Sequence, residues 1–425
     1  MENKEHEMQM RFEELITQDT KEAVIFDVQK SYGTFHVVRY TDLEFVSFQA
    51  LLKLLDIDLE AGKYMYVIGT SGKGSMVTHL HQSLYGGGTH VGSYVSPHIM
   101  SLRERYRVDD ELVPVEVYLK CGEQVLSAIT SLADKGLLVG YGTALFALGL
   151  LVFKDMHVDI SIVEVGAGAR YHFTNLIPAE IVVHTGISDD HLETLGPTKK
   201  DLAFHDAGAL KAGRVMYSSL SDQELQHIVK EEAKEVGSDV EFIQYDELAV
   251  HALAKAKELW GCEYVDTELT PPPWFPGRFE VFHQEGQPFV IVDSAHNAEK
   301  MEYLAGRLRT FIENYNISSV SVIFALLSRK DVDEMIHPLL PLIDNWYATT
   351  VTDVKGKKFI PAMELADELK HHTYPPSVVS IGDPVKAFEL AMRESGTNDL
   401  IVVTGSMYMI GKVREVVKDW MSIIA

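Results

Sequence analysis

Short apolar, β-branched runs alternate with longer amphipathic stretches along most of this chain. Two such runs, residues 23–28 and 34–40, flank a turn-like segment containing Ser31 and Gly33, which predicts a hairpin near the start. A leucine-rich helical pattern over 45–55 follows, and then the apolar run 64–68, which ends in glycine. From there the order strand, loop, helix repeats, with strands expected at 65–68, 161–165, 181–185 and 214–217. Continuous β-branched runs separated by helical stretches predict a parallel α/β sheet, because strands covered on both faces need apolar residues throughout. Pro271-Pro272-Pro273 can continue neither a helix nor a central strand and marks an expected boundary. A second α/β series is expected after it, with strands at 289–292, 320–324, 346–350, 378–381 and 400–404. The predicted organisation is an N-terminal β-hairpin extension over 1–45, a central α/β domain over 46–270 and a C-terminal α/β domain over 271–425.

Composition narrows the functional classes. With 425 residues, 46% of them hydrophobic, the chain can bury a sizeable core in two or three domains. No window approaches the ~18 consecutive apolar residues of a membrane span. The charged start, MENKEHEMQMRFEEL, lacks the apolar segment of a secretory signal, so a cytoplasmic location is expected. Cys121 and Cys262 are too few for a disulfide framework or a cysteine metal site. A formal net charge of −24 repels phosphate backbones and anionic membranes, which predicts neither a nucleic-acid nor a membrane partner. An acidic protein still binds ATP, since local amides, one lysine and a magnesium ion decide that contact.

Such a local site is present. Gly69-Thr70-Ser71-Gly72-Lys73-Gly74-Ser75 follows an expected strand and opens an expected helix over 76–84, the setting of a phosphate-binding loop. Glycines admit phosphate oxygens close to the backbone amides, the helix start adds its positive end, and Lys73 neutralises charge. Ser75 is placed to bond phosphate or to assist magnesium. The bland alternative is a tight glycine turn at a strand end. Kinases, ATPases and ligases share such a loop, so by itself it specifies a nucleotide phosphate and no particular reaction.

Five segments, in order, resemble the folylpolyglutamate synthase branch of the Mur ligase superfamily: Gly69 to Ser75; Ser96-Pro97-His98; Glu164-Val165-Gly166-Ala167-Gly168-Ala169-Arg170; Asp190-His191 with Glu193 and Leu195-Gly196; and Asp293-Ser294-Ala295-His296-Asn297. Trp274 to Glu280 and Thr404-Gly405-Ser406 add to the likeness, which runs from about residue 60 to the end. The resemblance implies a central P-loop ATPase-type parallel-sheet domain followed by a Rossmann-like α/β domain. It implies an ATP-dependent ligase in which a carboxylate is phosphorylated and an amino acid, glutamate by analogy, attacks the acyl phosphate, releasing ADP and phosphate. Residue by residue it implies ATP contacts at Thr70, Ser71, Gly72, Lys73, Gly74, Ser75, Arg278 and Asp293, and magnesium at Ser96, Glu164 and His191. Lys73, His191 and His296 are the expected catalytic positions. The alternatives from the residues alone are a Glu164 paired with Arg170, a strand-end cap at Asp293 and a structural histidine at His296.

The sequence departs from the family at two places. Fifteen residues after His191 the family has a lysine that carries a CO2-derived carbamate; here that position is Asp206, either a shorter metal-side carboxylate or an ordinary helix acid. On the acceptor side, Gly140-Tyr141-Gly142-Thr143 stands where the family has an aromatic-Glu segment for the pterin, Tyr171-His172-Phe173 where it has Leu-Asp-Ala, and Tyr40 to Phe48 does not match its N-terminal pteroate-binding segment, so Tyr141, Thr143, Tyr171, His172 and Phe173 are expected to line a changed acceptor pocket. Three readings stay open: a ligase for a carboxylate acceptor other than folate, a folylpolyglutamate or dihydrofolate synthase with a divergent pocket, and a nucleotide-binding protein without turnover. The expected partners are small molecules, an acceptor carboxylate and an amino acid, acting on a monomer.

Overall fold

The computed structural model describes residues 2–18, 24–39, 42–188, 192–267, 276–352, 354, 357–372 and 377–423. The chain divides into two compact units, Met1–Thr270 and Pro271–Ala425; Pro271, Pro272 and Pro273 themselves lie outside the described residues.

The first unit opens with a helix, Glu2–Glu13, that the pattern did not announce, since Met8 and Phe12 are the main apolar anchors in a mostly charged stretch. Both are buried, at 3% and 0% exposure, and the helix packs on a later one, Val115–Ala133. The expected hairpin follows as β1 (Val24–Lys30) and β2 (Gly33–Arg39), paired antiparallel. After the hairpin, which is a sheet of its own, come eight strands among the described residues: β3 (Tyr64–Ile68), β4 (Val91–Tyr94), β5 (Tyr106–Val108), β6 (Glu111–Leu112), β7 (Ile160–Glu164), β8 (Ile181–His184), β9 (Val215–Ser218) and β10 (Asp239–Phe242). They form one sheet in the order β10-β9-β8-β3-β7-β4-β5-β6, parallel from β10 to β4. The parallel register sets Val67 opposite Glu164 and Ile68 opposite His184, so the C-terminal ends of β3, β7 and β8 lie side by side. Ligands of open α/β sheets gather at that edge.

The hairpin is fastened to this unit by specific contacts. Phe35 stacks on Phe204 with ring centroids 4.6 Å apart and planes 9° from parallel, and His36 N–H donates to Asp201 at 2.7 Å. Tyr32 and Lys30 both reach Glu232.

The second unit is a seven-stranded sheet in the order β15-β14-β13-β16-β12-β11-β17. Its strands are β11 (Glu280–His283), β12 (Phe289–Val292), β13 (Val320–Phe324), β14 (Asn345–Ala348), β15 (Ser377–Ser380), β16 (Leu400–Thr404) and β17 (Ser422–Ile423). From β15 to β12 the sheet is parallel, with helices between the strands, and β11 and β17 run antiparallel at one edge. The α/β class expected from the sequence is the one found; β4, β5, β6, β10, β11 and β17 were not expected because each is short or half-polar.

Candidate active site

The phosphate loop sits where β3 meets the helix Lys73–Gly86, with Gly72 as the helix N-cap. Gly69 adopts a φ of 119°, and a Cβ there would lie 2.5 Å from Thr185 Oγ1 and 2.8 Å from the Gly186 carbonyl. No other residue type fits that approach. The neighbouring β8 end clasps the loop: Thr185 Oγ1 donates to the Ser71 carbonyl at 2.7 Å and to Ile68 at 3.1 Å, and Thr70 N–H donates to Gly186 at 2.9 Å. Lys73 Nζ folds back onto the loop, donating to the carbonyls of Gly69 at 2.7 Å and Thr70 at 3.2 Å. Gly74 and Ser75 lie in the first turn of the helix.

One strand over, Glu164 ends β7 and is buried to 6% exposure. Its Oε2 accepts the Ser96 N–H at 3.0 Å, which joins two of the predicted magnesium positions directly. The alternative pairing with Arg170 is not formed: Arg170 turns to Glu232 and to the Phe204 carbonyl, and its guanidinium lies 3.8 Å from the Phe204 ring centroid. His191 lies outside the described residues, as does Asp190. Among the described residues no three His, Cys, Asp or Glu side chains converge as a metal cage. A single buried carboxylate beside a serine suits magnesium, a hard cation that keeps several waters and shares substrate phosphates.

Asp206 has a different neighbour from the one expected. It is buried at 5% exposure on the helix Lys199–Ala207, with Oδ2 3.3 Å from His184 Nε2. His184 is fully buried, and its Nδ1 meets Ser218 Oγ at 2.9 Å. The imidazole lies alongside the carboxylate without a hydrogen bond between them. Asp206 is thus a helix acid turned into the interior, with an imidazole as its neighbour.

On the acceptor side, Phe173 is a core residue packed against Phe48 and Phe146, and Thr143 is buried with its hydroxyl donating to Glu44 at 3.1 Å. Tyr141, Tyr171 and His172 are half-buried. His172 covers the turn after β7, so that a Cβ on Gly166 would sit 3.2 Å from its Nε2. Sequence reasoning passed over Arg105 and Tyr94. Arg105 Nε donates to His98 Nδ1 at 3.0 Å, and Arg105 Nη1 donates to the Tyr94 hydroxyl at 3.3 Å. Burial, aided by the Arg105 charge, pushes His98 down to about 3, so it is a neutral acceptor toward the guanidinium.

In the second unit, the turn before β11 carries Arg278, and Asp293 directly follows β12. Asp293 accepts the Ala295 N–H at 2.8 Å; burial raises its carboxyl above the ordinary range against the pull of that amide and of the Arg278 charge. His296 Nδ1 donates to the Ser294 carbonyl at 2.7 Å, which leaves Nε2 as the acceptor facing Lys300 Nζ at 3.3 Å. Asn297 caps the helix Ala298–Tyr315 through the Lys300 N–H. Beneath them, Arg414 grips Glu280 with two 2.6 Å hydrogen bonds, and Glu280 also accepts the Gly277 N–H at 2.7 Å. This buried pair fixes the turn that presents Arg278, yet its members are 134 positions apart and carry no local signal.

Residues 277–407 match the family model described as Mur ligase, glutamate ligase domain. The chain is 26% identical over 382 residues to the dihydrofolate synthase/folylpolyglutamate synthase of Escherichia coli (strain K12), covering 83% of this chain and 86% of that protein. It is 25% identical over 408 residues to the Bacillus subtilis (strain 168) enzyme of the same name, covering 83% and 90%. Its fold is similar to that of the folylpolyglutamate synthase of Mycobacterium tuberculosis complexed with ADP and AMPPCP, with a TM-score of 0.78 and 20% identity over 97% of this chain and 99% of the other. The E. coli FolC structure with DHPP and ADP gives a TM-score of 0.76 at 23% identity, covering 97% and 98%. Sequence and fold agree in what the chain is similar to: residues 277–407 match a Mur ligase, glutamate ligase domain, and most of the chain resembles dihydrofolate synthase/folylpolyglutamate synthases.

Proposed function

We propose that this chain is an ATP-dependent ligase that forms an amide between an acceptor carboxylate and an amino acid, glutamate by the match to the glutamate ligase domain, through an acyl phosphate. The observation that carries the reading is the joint placement of a glycine-lysine loop and the Ser96–Glu164 pair at one edge of a parallel sheet. Thr70 to Ser75 offer amides and the helix start to the ATP phosphates, and Lys73 leaves its two carbonyl partners to meet them. Ser96 and Glu164 would hold magnesium, which when bound neutralises charge building on the transferring phosphoryl group. In the second unit, Arg278 and Asp293 are the proposed ATP contacts, and His296, whose Nδ1 donates to Ser294, is the proposed catalytic histidine.

Acceptor identity divides into two classes. The names of the relatives support folate; the Tyr141 and Tyr171–His172 surfaces, which depart from the family pattern, support another carboxylate. The test is phosphate release from ATP, with ADP as coproduct, across a matrix of carboxylates and amino acids that includes dihydropteroate, tetrahydrofolate and glutamate. Turnover with a pterin acceptor assigns folate chemistry, turnover only with other carboxylates assigns the divergent class, and ATP binding without turnover in any combination would sink the ligase reading.

A further inference from the structure

Arg105 is a cation in a place where a cation is costly. It is buried to 7% exposure, and among the described residues its side-chain hydrogen bonds go to an imidazole nitrogen and a phenol rather than to a carboxylate. Two other arginines with little exposure, Arg170 and Arg414, each hold a glutamate, as buried charges require. Arg107, next but one along β5, has Asp110 and Glu111 as its charged neighbours. The charged or ionisable groups that act most strongly on Arg105 are instead three tyrosines, Tyr94, Tyr141 and Tyr106.

Its position gives this charge a use. The Arg105 carbonyl accepts the Val95 N–H at 3.0 Å, which anchors it to the segment running into Ser96, and its Nε holds His98, two residues past Ser96. Tyr94, which takes its Nη1, lies close enough to Glu164 to feel that carboxylate. Arg105 thus stands on the Glu164 side of the sheet edge, within electrostatic reach of Tyr141 at the start of the helix Tyr141–Asp155. A carboxylate substrate approaching Glu164 and a polyphosphate is repelled by both, and a cation beyond those that neutralise the phosphates would receive it. Arginine carries five N–H donors in a planar fork; His98 and Tyr94 take two, and three remain.

We infer that Arg105 is the residue that receives the acceptor's carboxylate, held in orientation by His98 and Tyr94, and that its missing acidic partner is the substrate itself. The inference rests on the ligase reading for the identity of that substrate and on geometry alone for the anion site. Salt-bridge arithmetic makes it separable from a structural role: removing an uncompensated buried charge relieves the fold, whereas removing a substrate clamp weakens binding.

The experiment compares wild type, Arg105→Met and Arg105→Lys. Thermal unfolding without ligand is expected to leave Arg105→Met at or above the wild-type Tm. In the phosphate-release assay, the acceptor KM should rise on the order of 30-fold in Arg105→Met, with the ATP KM within about twofold. Arg105→Lys keeps the charge and the fold but loses the fork, so it should show the same split at smaller size, and it reads the result if the methionine variant does not fold. An unchanged acceptor KM, or acceptor and ATP KM values rising together, would overturn the assignment. If no acceptor in the matrix supports turnover, the ligase reading fails on its own, and the anion site is decided by millimolar glutarate: stabilisation of wild type that Arg105→Met lacks supports it, and equal shifts in both reject it.

Discussion

Lys73 satisfies its ammonium on two loop carbonyls, contacts that a phosphate would replace. Because the rest of the loop is held independently by Thr185 and Gly186, Lys73→Ala is expected to abolish turnover while leaving the circular dichroism spectrum and Tm unchanged; wild-type turnover in that variant would end the phosphate-loop assignment. Glu164→Gln keeps the hydrogen bond from Ser96 but removes the negative charge, so half-maximal activity should need at least tenfold more magnesium, about 1.4 kcal/mol of lost binding. An unchanged magnesium titration would remove Glu164 from the metal site. Asp206 behaves differently. Its carboxylate lies in the interior beside His184, so Asp206→Asn should lower Tm and leave the magnesium titration where it was, and CO2 scrubbing should not alter wild-type activity. A raised magnesium requirement in Asp206→Asn would return that residue to the metal. At this scale the loop was legible from its own spacing, because a phosphate site is built from consecutive amides. Asp206 was legible only as a departure, since its neighbour His184 lies on another strand and nothing local announces it.

The elements repeat this division between local and distant causes. The strands β3, β7, β8, β12, β13 and β16 were readable because strands of a sheet covered on both faces must be apolar throughout. The helix Glu2–Glu13 was not, because its stability comes from burying Met8 and Phe12 against Val115–Ala133 rather than from a sustained stripe. Phe12→Ala should therefore cost about 3–5 kcal/mol, measured by urea unfolding; a change under about 1 kcal/mol would show that the helix is dispensable to the fold. In the second unit, the Glu280–Arg414 pair holds the Gly277 turn from beneath. Glu280→Gln strands a buried guanidinium and should destabilise by roughly 3 kcal/mol, while the double replacement Glu280→Met with Arg414→Met should be milder than either single change. Additive losses in that cycle would mean that the two side chains are not coupled.

For the molecule as a whole, acid sensitivity follows from histidines kept neutral in the interior. His81, on the helix behind the phosphate loop, and His205, beside Asp206, are each 1% exposed. Burial is the main cause that pushes both down to about 4, with the Arg107 and Arg170 charges adding to it and nearby Asp residues opposing it. His90 works in the opposite sense, since the Met156 carbonyl and Asp109 outweigh its partial burial. For His81 and His205 the sign is fixed by which state binds the proton. Between pH ~6.5, where an unfolded histidine titrates, and pH ~4 the unfolded chain takes up protons that the native state refuses, so stability falls as pH falls. Their contribution is intact above that window and is lost progressively across it. Carboxylates titrate in the lower half of the same range, so the comparison that isolates the histidines is between wild type and a variant carrying His81→Gln and His205→Leu. The variant unfolds with up to two fewer protons taken up, and its Tm should decline less steeply from pH ~6.5 to ~4.5 whatever its starting value. Parallel Tm curves across that range would show that these two imidazoles do not set the acid limit of the fold.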